Sequence, residues 1–129
     1  VTAGAIEPIH VRQTAALDAE LGLGCVALLE NPTGTDNPNY LGNGDRLLLE
    51  LFDAEVELVE NLDHVDEQLN ALADRLRTNG KTPYLVPIGG SDALGALGYV
   101  RAGLELAAQI EDSGIDFAAV VLASGSAGT

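Results

Sequence analysis

Short apolar runs alternate with longer stretches whose apolar residues recur every three or four positions, and turn residues separate the two. This alternation predicts βαβ units that build a parallel sheet. Five runs read as strands, residues 1–5, 25–30, 55–60, 84–88 and 117–123, and they are apolar enough on both faces to be covered on both sides. Four helical patterns lie between them. Pro8 suits the first turn of a helix reaching about residue 21, with Val11, Ala15 and Ala16 on one face. Residues 41–52 carry Leu47, Leu48, Leu51 and Phe52, and residues 66–76 repeat Leu69, Leu72, Ala73 and Leu76 before breaking at Asn79-Gly80. The longest pattern covers residues 92–110. Its glycines, Gly95, Gly98 and Gly103, each cost about 1 kcal/mol in a helix and so predict close packing against another element. Residues 31–43, with Pro32, Gly34 and Pro38, form the one long loop. The fold class expected is α/β, a three-layer α/β/α domain.

Right-handed crossovers place every strand-to-helix loop on one edge of such a sheet, and ligands bind there, outside the carboxyl ends of the strands. The loops of interest are therefore residues 6–10, 31–39, 61–65, 89–92 and 124–129.

With 129 residues, 47% of them apolar, the chain is large enough to fold as one domain without disulfide or metal. Six Lys and Arg against 20 Asp and Glu give 6 − 20 = −14, a charge that repels phosphate backbones and anionic membranes alike. Nucleic acid and membrane are excluded as expected partners. No apolar run approaches the roughly 20 residues that span a bilayer. Cys25 is the only cysteine, so no internal disulfide can form, and a reducing, cytoplasmic setting is expected. The chain contains no Met and starts at Val1, which marks it as an expected segment of a longer product.

Ser124, Gly125, Ser126, Ala127, Gly128 and Thr129 follow an apolar run, and their backbone N–H groups and hydroxyls could surround a phosphate without any cation. An ordinary glycine-rich turn explains the same composition. In Gly89-Gly90-Ser91-Asp92 the serine or aspartate reads most simply as a helix cap. His10 falls in the first turn of a helix on the functional edge, where the dipole would lower its pKa, although a plain surface histidine fits the sequence too. Pairing of His10 with Ser91, Ser124 or Ser126 would give a Ser-His nucleophile. His64 reads as part of a solvated turn. Cys25 opens its strand at the far end from both histidines and reads as core. No cluster has metal-ligand spacing. Lys81, the only lysine, lies in a polar loop on the opposite edge and is a poor Schiff-base candidate.

Residues 2–6 (TAGAI), 10–16 (HVRQTAA), 25–32 (CVALLENP), 39–41 (NYL), 89–91 (GGS), 93–100 (ALGALGYV) and 123–129 (ASGSAGT) together resemble the family of D-cysteine desulfhydrase and 1-aminocyclopropane-1-carboxylate deaminase, pyridoxal-phosphate enzymes related to the tryptophan synthase β subunit. The resemblance runs the whole chain in register but covers less than half of such an enzyme. It implies a small domain over residues 1–111 with parallel strands in order 3-2-1-4, the first strand central. It also implies a fifth strand and phosphate loop, residues 112–129, from the larger domain. That strand would add beside the fourth or pair with another chain as a homo-oligomer. By resemblance Ser124 to Thr129 would hold the cofactor phosphate, and the start of the first helix the substrate carboxylate and the cofactor ring oxygen. The implied activity is a lyase reaction on a small amino-acid substrate such as D-cysteine.

Departures accompany the matches. Where the family has Gln-Ser-Asn before His-Val-Arg, this chain has Glu7-Pro8-Ile9, which loses a hydroxyl and an amide, removes an N–H donor and adds a charge that repels carboxylates. The family's cofactor lysine lies upstream of Val1. The chain by itself is thus expected to bind no cofactor and to be inactive. The alternative, from another class, is an engineered or excised α/β scaffold with a designed Ser-His hydrolytic site on the same edge.

Overall fold

The computed structural model describes residues 1–7 and 9–126. Pro8 and the last three residues of the expected phosphate loop, Ala127, Gly128 and Thr129, lie outside the described residues. The chain divides into two compact units, Val1–Ile88 and Gly89–Thr129.

The first unit is built on three parallel strands in the order β1-β2-β3: β1 (Thr2–Ala5), β2 (Val26–Glu30) and β3 (Glu55–Val59). Ala3 pairs with Leu28, and Leu28 with Glu57. Helix α1 (Ile9–Glu20) crosses from β1 to β2, the pair α2 (Pro38–Gly42) and α3 (Asp45–Leu51) from β2 to β3, and α4 (Val65–Thr78) follows β3. Because successive residues of β2 point to opposite faces, its apolar run supplies two cores. Ala27 and Leu29 pack with Val11, Ala15 and Leu49 on the side of α1 and α3, whereas Val26 and Leu28 pack with Ala3, Leu69 and Leu72 on the side of α4. Each buried leucine contributes about 2 kcal/mol by leaving water. The layers expected from sequence are therefore present in this unit, with β2, not β1, at the centre.

The expected fourth strand is rudimentary. The Val1 amino group donates to the Tyr84 carbonyl at 2.9 Å and the Val86 N–H to the Val1 carbonyl at 2.8 Å, so residues 84–86 run beside the start of β1, where order 3-2-1-4 puts them. The ladder goes no further because the chain turns at once into the 3-10 segment Ile88–Gly90, with Gly89 at φ +69°. Residues 38–42, expected within the long loop, form α2, and the helix expected over residues 41–52 is confined to α3. Asn43-Gly44 separates them, Gly44 taking φ +58° and ψ −134°, a backbone conformation open to glycine and strained for any other residue.

In the second unit, α5 (Ala96–Ser113) starts four residues later than the pattern predicts and buries none of its residues. Asp92 accepts from the Gly95 N–H at 2.6 Å, and a side chain on Gly95 would collide with the Gly90 carbonyl, so this glycine is required by close approach. Gly98 and Gly103 meet nothing and do not bear out the packing expected of them. Residues 117–123 form no strand. Val120, Val121 and Leu122 stay exposed, since a strand exists only by pairing and no other extended segment among the described residues of this unit lies beside it. Among the described residues the expected five-strand sheet is thus three-stranded.

Candidate functional site

Among the loops at the carboxyl edge, the one after β1 approaches the end of the long loop and the start of α3. A cavity of about 580 Å³ opens there, lined by Glu7, Asn37, Asn39, Tyr40, Asn43 and Gly44. Asn37 caps α2, its side chain accepting from the Asn39 N–H at 2.9 Å with Pro38 in the first turn. Asn43 Nδ2 donates to Asn39 Oδ1, and Asn43 Oδ1 accepts from the Gly44 N–H, each at 2.9 Å.

Glu7, expected only as a charge that repels carboxylates, has a structural role as well. Its Oε2 accepts from the Asp45 N–H at 3.0 Å, so a carboxylate 38 positions away caps α3 in place of a local side chain. A Cβ on Gly44 would lie 2.6 Å from that oxygen, so the glycine makes room for the cap. Arg12 Nη1 donates to Asp45 Oδ1 at 2.8 Å, tying α1 to the same residue. Glu30, at the carboxyl end of β2, likewise accepts from the Leu62 N–H at 2.9 Å. The chain's own carboxylates thus take backbone donors that an anionic ligand would otherwise use. The turn dipeptide Asn43-Gly44 was the available signal; the identity of the distant cap was not.

His10 does not line the cavity. Its Nε2 lies 3.4 Å from the hydroxyl of the fully buried Thr2, and either group donates according to the ring tautomer. Its pKa is lowered from the ordinary 6.5, as expected, but burial is the chief cause, opposed by a backbone hydrogen bond with Ala3. Ser91 belongs to the second unit, where its hydroxyl donates to the Ser126 carbonyl at 2.9 Å. Gly89 adjoins the Ser126 side chain so closely that a Cβ there would collide with it. The structure therefore brings Ser126 against the turn at Gly89 to Ser91, and gives His10 and Ser91 separate partners. His64 is exposed, as expected.

Cys25 is buried, with 3% exposure, and its thiol is pushed up to about 11 by loss of water and then by the negative charge of Asp18. It lines a second cavity of about 500 Å³ at the amino edge, together with Asp18, Glu55 and the exposed Lys81. The only lysine thus stands on the edge away from the carboxyl-edge loops. Among the described residues no group of three or more His, Cys, Asp or Glu could hold a metal, and no helix is long and apolar enough to cross a membrane.

All 129 residues align with D-cysteine desulfhydrase of Serratia proteamaculans at 61% identity, of Yersinia pestis at 60% and of Klebsiella pneumoniae at 58%. The chain corresponds to a segment of these proteins. It spans 39% of the length of each. A crystal structure described as that of an ACC deaminase homologue superposes with a TM-score of 0.82 at 31% identity, over 98% of this chain and 37% of that one. No family model matches. The α/β fold and parallel sheet agree with that structural neighbour, and the unbroken similarity to bacterial desulfhydrases leaves the engineered-scaffold reading, with its Ser-His site, without support.

Proposed function

We propose that this chain is the segment of a cytoplasmic pyridoxal-phosphate lyase that converts a small amino acid such as D-cysteine to ammonia, pyruvate and sulfide. The observation that carries the reading is the 58–61% identity to D-cysteine desulfhydrases over every residue of the chain. In this reading residues 1–111 are the small domain, and residues 112–129 are a strand and loop of the larger domain, completed by pairing outside this chain or with a second copy. Pyridoxal phosphate, when bound, supplies an electron sink for the substrate Cα.

The described residues fit one end of that cofactor. Ser124, Gly125 and Ser126 suit its phosphate, with Ser126 held against Gly89 and Ser91. The ring end does not fit. Glu7 puts a carboxylate where the resemblance implies a carboxylate ligand, and Lys81 stands at the opposite edge of the sheet. By itself the chain therefore carries no reaction through the cofactor and binds it no better than millimolar.

The test is a graft of residues 1–129 into the Serratia desulfhydrase in place of its aligned segment, with and without the triple substitution Glu7→Gln, Pro8→Ser, Ile9→Asn. The restored graft should release pyruvate and sulfide from D-cysteine, and the unrestored graft should be at least about 100-fold slower, the scale of one lost transition-state donor. A restored graft that folds and shows cofactor absorbance but releases neither product would overturn the reading.

A further inference from the structure

We infer that the carboxyl-edge cavity binds a small organic ammonium ion and turns away carboxylates and phosphates. Of the six described residues that line it, only Glu7 carries a charge at neutral pH, and that charge is negative. The carboxylate is fixed in place, with Oε2 on the Asp45 N–H at 3.0 Å and no side chain on Gly44 to displace it. The amides of Asn37, Asn39 and Asn43 and the Tyr40 hydroxyl can face a ligand of either sign, so the charge decides.

An anion entering the cavity meets Glu7 with no lining cation to offset it. Arg12, which reaches the start of α3, is committed to Asp45 at 2.8 Å. The net charge of −14 adds to that barrier. An ammonium group has three donors and no acceptor. The carbonyl oxygens of Asn37, Asn39 and Asn43 each accept one hydrogen bond within the loop and keep a second lone pair, and Glu7 Oε1 supplies the countercharge. A hard divalent cation is a poorer match, because it takes six or more oxygens, usually from several carboxylates, and no such cluster occurs among the described residues. This inference stands apart from the lyase reading, since it requires neither the cofactor nor the rest of a larger enzyme.

Titration of the ¹⁵N-labelled 129-residue chain with ethylammonium chloride, with sodium acetate and sodium chloride as matched salts, tests it through the backbone amide shifts of Asn39, Gly44 and Asp45. Ethylammonium should give saturable shifts in the millimolar range, and acetate none beyond the sodium chloride control. Glu7→Gln keeps an acceptor for the Asp45 N–H while removing the charge, and should weaken ethylammonium about fivefold, the upper range for an exposed ion pair. Glu20→Gln, at the far end of α1, removes the same charge elsewhere and should change nothing. Asn39→Asp adds a charge to the wall and should tighten binding, so the proposal remains testable even if Glu7→Gln destabilises the fold. Saturable acetate binding as tight as that of ethylammonium, shifts that never saturate, or equal weakening by Glu7→Gln and Glu20→Gln would each overturn the inference.

Discussion

Glu7 and Gly44 should behave as a single stabilising unit although 37 positions separate them. Glu7→Ala removes the cap on α3, a loss of about 1 kcal/mol. Gly44→Ala has two effects. The backbone at φ +58° and ψ −134° is strained for alanine by about 1–3 kcal/mol. Its Cβ, 2.6 and 2.8 Å from the two carboxylate oxygens, also drives Glu7 off the Asp45 N–H, so the cap is lost as well. The single Gly44→Ala change should therefore cost about 2–4 kcal/mol, and the double variant the same, because the cap can be lost only once. In a double-mutant cycle the cost of Glu7→Ala should fall from about 1 kcal/mol to near zero when residue 44 is alanine, a coupling of about 1 kcal/mol. Urea unfolding of the four proteins, followed by far-ultraviolet circular dichroism, measures each corner, and the Glu7→Ala step alone should lower the melting temperature by about 4 °C. Additivity to within about 0.3 kcal/mol would refute the reasoning, since it would mean that carboxylate and glycine act independently.

Two further outcomes follow from buried titratable groups. His10 has a folded pKa below its ordinary 6.5, so the stability held by the neutral ring is fully present above that value and is lost as pH falls through the folded pKa. The urea midpoint should therefore decline as pH falls below the ordinary histidine value of 6.5, and His10→Gln should flatten that decline; an equally steep acid limb in the variant would assign it to the carboxylates instead. Cys25, with a thiol near 11 and 3% exposure, should resist iodoacetamide at neutral pH in the native chain and react readily in urea. Native labelling as fast as unfolded labelling would place the thiol in solvent.

Local pattern was enough where an element's neighbours come next in the chain. The apolar run of β2 had to be buried on both faces, and α4 shows its apolar stripe at helical spacing, so both were legible within one or two residues. The carboxyl edge as the location of the cavity was legible too, because crossover handedness follows from backbone chirality. Less visible were interruptions decided by backbone conformation, such as the turn at Ile88–Gly90 that ends the fourth strand and the Gly44 conformation that separates α2 from α3. The apolar run at 117–123 read as a strand on composition, yet a ladder needs a partner as well as propensity.

What the sequence determined alone is the placing of β1, β2, β3, α1 and α4, their parallel α/β class, the acidic charge, the core role of Cys25 and a whole-length likeness to one family, since each follows from periodicity, charge or residue order. Tertiary structure alone decided which groups meet. Glu7 on the Asp45 N–H, His10 against Thr2 and Ser91 on the Ser126 carbonyl join residues 38, 8 and 35 positions apart. Directional hydrogen bonds of this kind need relative placement within a few tenths of an ångström, and only packing within each unit, a property of many residues together, sets that placement.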